Sequence, residues 1–346
     1  MAETLRIGMI GCGEIAYKAT GQAVADCPNA TIVAAMDTVA DIAKSFTEKF
    51  GGEPTTDAAE VMARDDVDAV LISVPHFLHA PLAIQAAEAG KHVLVEKPIA
   101  CTTEQANGMI AACADAGVLL SVLLPSRYSG STIRAKELVE AGALGKILAL
   151  KFHVAANKPD SYWTGGYTQR VQTDWRKSKE NSGGGVLIMN LVHDIDAVRY
   201  ATGLEAIRVY AEYDTFMTDT EVEDFITVSI RYDNGAIGDI MASSCVRGGE
   251  GGGTRIYGSE GQMAFGRPLR VFTEADIEGL ERGAWTDVDT PRGDGRATLI
   301  ERFAEAVFAG TAPEVPGEEG RNTLDLIYAA YRSGETHTPV TVPTYG

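Results

Sequence analysis

Little in this chain points to a membrane, a metal or a nucleic acid. No apolar run approaches the roughly 20 residues that a membrane-spanning helix requires. The opening MAETLRIGMIG lacks the basic start, apolar stretch and small-residue cleavage site of a secretory leader. Lys and Arg are outnumbered, 30 against 48 Asp and Glu, which leaves a net charge of -18. A surface this acidic repels phosphate backbones and anionic lipid, so neither nucleic acid nor membrane is expected as a partner. The five cysteines (Cys12, Cys27, Cys101, Cys113 and Cys245) stand apart, with no CxxC and no Cys/His cluster. Free thiols in a cytoplasmic chain are therefore expected, rather than disulfides or zinc. The histidines are dispersed without acidic or Cys partners at ligand spacing, so no metal site is expected. No internal repeat is found.

What the chain does have is enough apolar material for a large core: 346 residues, 45% of them hydrophobic. That length suggests two domains. In the first third, short apolar runs alternate with amphipathic stretches. LRIGMI (5–10), TIVAAM (31–36), DAVLISV (68–74), KHVLVE (91–96) and VLLSVLL (118–124) read as strands buried on both faces. With helices between them they predict a doubly wound parallel sheet over residues 1–124. After a helix at STIRAKELVEAGALG the period falls to about two, in ILALKFHVAA, IRVYAEYDTF, DFITVSIRY, AIGDIMASSC, TRIYGS and GQMAF. These, with DNG and GSEG as hairpin turns, predict an α+β domain over 125–346. It is built on a large open-faced, mostly antiparallel sheet, and its last helix packs back near the first domain. RGGEGGG (247–253) reads as a flexible loop by composition.

The strand 5–10 runs straight into Gly11, Cys12, Gly13, Glu14, Ile15 and Ala16, a GxGxxA loop. Gly11 permits the tight turn, Gly13 lets a pyrophosphate approach the backbone, and Ala16 allows close helix–strand packing. The helix that follows offers its unpaired N–H groups at Glu14 and Ile15 to the phosphates. Asp37 ends the second strand, where a carboxylate bonds a ribose 2'-hydroxyl. It repels a 2'-phosphate, and the following TVAD holds no Arg to neutralise one. The cofactor expected is NAD over NADP.

With this loop in place, further elements stand out: V-P-x-x-x-H at Val74, Pro75 and His79; A-G-K-H-V-x-x-E-K-P at 89–98; A-K-E-L-V-x-x-G-x-L-G-K-I at 135–147; and S-G-G-G-x-L-x-x-x-x-x-H-x-I-D at 182–196. Together they resemble the Gfo/Idh/MocA family, the glucose-fructose oxidoreductase and inositol dehydrogenase group, over nearly the whole chain. The resemblance implies a Rossmann domain followed by an open-faced sheet domain. It also implies NAD(P)-dependent oxidation of a sugar or cyclitol hydroxyl, or the reverse. It further implies a cis bond between Lys97 and Pro98.

Lys97 follows the strand 91–96, so it emerges at the carboxyl end of a parallel sheet, where ligands gather. An ammonium group there stabilises developing alkoxide charge and relays a proton. Glu96 is expected either to pair with Lys97 or to reach the cofactor ribose. His193, on a helix over 186–201, is expected to take the substrate's hydroxyl proton. Many family members carry an Asp four residues before this His; here that position is Met189. Either Asn190 or another polar group orients the substrate, or the substrate class departs from the inositols. Ser73, Pro75, His76 and His79 are placed at the cofactor crevice. Arg127, Tyr128, His153, Tyr162, Trp163 and Trp175 are candidates for substrate contact, the aromatic rings because they stack on sugar C–H surfaces.

Two other readings stay open at this point: a non-catalytic module sensing dinucleotide or sugar, and a reductase or transhydrogenase that holds its cofactor tightly. The free face of the second sheet predicts a homodimer or homotetramer packed sheet to sheet.

Overall fold

The computed structural model describes residues 3–249, 252–290 and 293–345 of the chain. Two residues of the glycine-rich stretch 247–253, Glu250 and Gly251, lie outside the described residues. No helix among those described is long and apolar enough to cross a membrane.

The chain divides into two compact units, and the division is not a single cut. The first unit comprises Met1–Pro125, Asp160–Gly183 and Asp294–Leu324; the second comprises Ser126–Pro159, Gly184–Gly293 and Asp325–Gly346. Residues 125–346 are thus not one continuous block. Two excursions from that block belong with the first unit, because their side chains bond the glycine loop and the first parallel strands rather than the second sheet.

The first unit holds a six-stranded parallel sheet: β1 (Leu5–Ile10), β2 (Ala30–Met36), β3 (Glu53–Thr55), β4 (Ala69–Ile72), β5 (His92–Glu96) and β6 (Leu120–Leu123). The spatial order is β3-β2-β1-β4-β5-β6. All four residues of β4 and of β6 are buried, as expected of strands covered on both faces. The order reverses between β1 and β4, so the crevice beyond their carboxyl ends is the ligand-binding position of such a sheet.

The second unit holds a nine-stranded sheet, in the order β14-β13-β12-β11-β7-β10-β9-β8-β15. Its strands are β7 (Ile147–Ala155), β8 (Ala206–Asp214), β9 (Phe225–Tyr232), β10 (Ile237–Ser243), β11 (Arg255–Gly258), β12 (Gly261–Ala264), β13 (Leu269–Thr273), β14 (Trp285–Val288) and β15 (Val340–Thr341). All its pairings are antiparallel except β10 with β7. Alternation along the strands buries Leu150, Phe152, Val228, Ile230, Ile240 and Ile256 on one face. The other face carries Tyr210, Ser229, Asp239, Lys151 and Arg255 as register neighbours, a row of mixed charge and polarity.

Candidate active site

The nucleotide side is built at the end of β1. Gly11 has φ +92°, a conformation L side chains rarely adopt, and a Cβ there would strike the carbonyl of Ser73. A Cβ on Gly13 would meet no protein atom within 4 Å. That open approach fits a dinucleotide drawn close to the backbone. Asp37 is 8% exposed; its carboxylate accepts the N–H groups of Cys12 and Val39, each at 3.0 Å. Two backbone donors thus orient it at the end of β2, as ribose binding requires. Ser73 and Pro75 are half-buried after β4.

The excursion Asp160–Gly183 is tied to this loop. The Glu14 carboxylate accepts the N–H of Tyr167 at 2.8 Å and pairs with Lys18 at 2.7 Å. The Arg170 guanidinium donates to the carbonyl of Cys12 at 3.1 Å and to the hydroxyl of Ser45 at 2.7 Å. Further along, Trp175 packs on His76 with ring centroids 4.5 Å apart, and His76 Nδ1 lies 2.8 Å from the carbonyl oxygen of Ser182. Tyr162, Trp163 and Trp175, read from sequence as substrate contacts, therefore stand in the unit that carries the glycine loop. Trp163 is only 3% exposed, so little of its ring is left for a sugar; its indole N–H has no acceptor among the described residues. Tyr162 and Trp175 remain half-exposed.

Lys97 follows β5 and is half-buried, and its bond to Pro98 is cis. The V-P and E-K-P elements are joined by His79. Its Nδ1 lies 2.8 Å from the carbonyl of Pro98 and its Nε2 3.0 Å from that of Val74. Burial lowers the proton affinity of His79 and, more strongly, that of His76. Fully buried, with a backbone carbonyl near each nitrogen, His79 holds the turn, donating to one of the two at a time. Glu96 is tied into the first unit by two further side chains. It is 5% exposed and accepts from Arg296 and from Thr20 Oγ1, the latter at 3.0 Å. Arg296 belongs to the helix Gly295–Ala309, some 200 residues away in sequence.

In the second unit, His193 lies on the helix Val192–Thr202, which continues a wider π turn at Leu187–Leu191. Glu223 anchors the start of that turn. It accepts Gly185 N at 2.6 Å, Leu187 N at 2.9 Å and the Tyr331 hydroxyl at 2.8 Å. Side chains on Gly184 and Gly185 would strike the Tyr331 ring and the Glu223 carbonyl respectively. The glycine run is thus explained by close packing against Tyr331 and Glu223. Burial pushes the Glu223 carboxyl up to about 7, against the three donors that favour its ionised form. Asp194, next to His193, accepts from Thr254 Oγ1 at 3.2 Å, and burial raises its proton affinity too. Met189 is 4% exposed and Asn190 half-buried.

Arg127 closes its fork on Asp196, Nε to Oδ2 at 2.9 Å and Nη2 to Oδ1 at 2.6 Å. With exposures of 4% and 0%, this pair anchors the His193 helix. His153 alternates with the buried Phe152 on β7, so it occupies the open face of the sheet. The His193 helix meets the other face, through Asp194 and Thr254. Tyr128 stays half-exposed beside Arg127. Among the described residues no cluster of His, Cys, Asp and Glu is placed to hold a metal ion. Two participants had no signal in the sequence: Arg170, distant from the loop it bonds, and Glu223, one acid among 48.

Comparison with known proteins identifies the family and the fold. Residues 5–124 match the model of an oxidoreductase family with an NAD-binding Rossmann fold, and residues 132–264 match the GFO/IDH/MocA C-terminal domain. The dTDP-3,4-didehydro-2,6-dideoxy-alpha-D-glucose 3-reductase of Actinomadura kijaniata is 36% identical, with 95% of each chain aligned. The scyllo-inositol 2-dehydrogenase (NAD(+)) of Bacillus subtilis (strain 168) is 27% identical over 98% of this chain and 97% of its own. Among solved structures, the WlbA dehydrogenase from Bordetella pertussis in complex with NADH and UDP-GlcNAcA superposes with a TM-score of 0.84 at 26% identity. It covers 99% of this chain and 100% of that one.

Proposed function

This chain belongs to the GFO/IDH/MocA oxidoreductase family, and we propose that it oxidises a hydroxyl of a sugar, sugar derivative or cyclitol, with Lys97 and His193 handling the proton. The observation that carries the reading is the loop Gly11–Ile15 with its open approach at Gly13, on the sheet whose next strand but one delivers Lys97. The bound nicotinamide supplies a hydride acceptor. Lys97 stabilises negative charge on the substrate oxygen, and His193 receives the hydroxyl proton. The relatives act, by name, on an inositol and on a nucleotide-linked deoxysugar, which supports the polyol class and leaves both directions of reaction available. A screen of sugars, nucleotide sugars and cyclitols with NAD and with NADP, followed by the absorbance of the reduced cofactor, tests it.

A second reading is favoured by one observation. Met189, at the position where the family resemblance implies a carboxylate, is an apolar side chain and is buried. A binding module without turnover would show the same dinucleotide affinity and no reduced cofactor with any substrate. The free thiols at Cys12, Cys27, Cys101, Cys113 and Cys245 support a cytoplasmic site of action. We also propose a homodimer or homotetramer joined through the open face of the second sheet, where Ile237 is 52% and Trp285 38% exposed.

A further inference from the structure

We infer that Arg170 forms a subsite for the 2'-phosphate of a phosphorylated dinucleotide, so that the chain accepts NADP(H) as well as NAD(H). The inference rests on the dinucleotide reading above and concerns its adenosine end. Judged by residues 38–41 alone, no cation accompanies Asp37. The fold brings one from the excursion Asp160–Gly183. Arg170 Nε bonds the carbonyl of Cys12 at 3.1 Å, and the N–H of the same Cys12 bonds the Asp37 carboxylate at 3.0 Å. The guanidinium and the ribose-binding carboxylate are therefore held on one residue of the glycine loop.

The other contacts of Arg170 are all to neutral groups: Ser45 Oγ at 2.7 Å, Ile42 O at 3.3 Å, and the face of the Tyr17 ring at 3.9 Å. Lys49 Nζ lies 4.5 Å from the centre of that same ring. The chain has 48 acidic residues and a net charge of -18, and most cations near an acid form an ion pair. Yet among the described residues neither Arg170 nor Lys49 has a carboxylate at ion-pair distance. Two cations around one aromatic ring, unneutralised in so acidic a protein, make an anion site. Arg170 is half-exposed, and its bonds leave from Nε and Nη2, which leaves the Nη1 edge for a phosphate oxygen. A phosphate monoester on the ribose that Asp37 orients is the anion this placement fits. The Asp37 charge opposes it, so NADPH should bind somewhat more weakly than NADH.

The test is titration of NADH and NADPH, followed by nicotinamide fluorescence, on the wild-type chain and on R170Q, R170K and K49Q. Gln keeps donors for Cys12 O and Ser45 while removing the charge. Wild type should bind NADPH within about tenfold of NADH. R170Q, which also loosens the glycine loop, should weaken NADPH by about tenfold to a hundredfold more than it weakens NADH, the range for losing one charge-assisted hydrogen bond. R170K should recover part of the NADPH affinity, and K49Q should lose a smaller part. Equal loss of both cofactors in R170Q, or loss of neither, overturns the subsite. So does a wild type that binds NADH and not NADPH, which leaves the dinucleotide reading standing. A wild type that binds neither overturns that reading itself.

Discussion

The imidazole of His79 sits 2.8 Å from the carbonyl oxygen of Pro98, the residue that follows Lys97. Its other nitrogen reaches Val74 O at 3.0 Å, so one side chain spans the turns after β4 and β5. A neutral imidazole donates to one of these carbonyls at a time. Replacing it with Ala removes the one donor that these two carbonyls share, at a cost of about 1–3 kcal/mol. H79A should therefore lower the melting temperature and, through the Lys97 turn, lower kcat more than it raises KM for the sugar. H79N, which reaches only one carbonyl, should recover part of both. Unchanged kcat in a folded H79A would show that the turn does not depend on this bridge.

The Arg127–Asp196 pair is desolvated and bidentate. Removing one partner strands the other charge in the interior, which typically costs about 3–5 kcal/mol. R127M and D196N should each unfold at markedly lower urea concentration than wild type, with cofactor affinity in the folded fraction retained. A direct role of Arg127 at the substrate would instead raise KM with little change in stability.

Glu223 makes stability depend on pH in a defined direction. Its ordinary pKa is 4.5, and burial raises it to about 7 in the folded chain. Between those values the native state holds a proton that the unfolded chain has released. The contribution is full below pH 4.5 and is lost as pH rises to about 7. His76 and His79 act oppositely: burial lowers both from 6.5, so their contribution is lost as pH falls below 6.5. Urea midpoints from pH 5 to 8 should show the gap between wild type and E223Q narrowing as pH rises. For H76N the dependence should be reversed, its deficit relative to wild type shrinking below pH 6.5. A pH-independent gap for E223Q would mean that Glu223 stays ionised throughout.

The open face of the second sheet should be the subunit interface. Ile237 lies at its centre, on β10 between β7 and β9. I237E places a charge there and should convert a dimer or tetramer to monomer, read as mass by light scattering, with the far-UV spectrum intact. A wild type that is already monomeric contradicts the interface.

The parts of this molecule written in local pattern were legible before any coordinates. Strands β1, β4 and β5 are buried on both faces, so their apolar runs are continuous and their ends are marked by Gly11, Ser73 and the Glu96-Lys97 pair. The three-residue edge strand β3 is largely exposed and carries no such signal, and the short edge strands β14 and β15 carry none for the same reason. What could not be read was pairing over distance. Arg170 lies 158 residues from Cys12 and Arg127 lies 69 from Asp196. Nothing local marks either Arg as a loop clamp or a helix anchor. The aromatic cluster around Tyr162 and Trp175 was visible as chemistry, and its assignment to the first unit was not, since no composition change marks Asp160 or Gly183.

If Lys97 acts on the reacting oxygen, as proposed, cofactor binding does not depend on it. The most direct measurement pairs NADH titration with steady-state turnover on wild type and K97A, using whichever polyol the screen identifies. K97A should keep NADH affinity within about threefold while kcat falls by about a hundredfold or more, the scale of a lost proton-handling group. Wild-type kcat in K97A, with affinity intact, would contradict it.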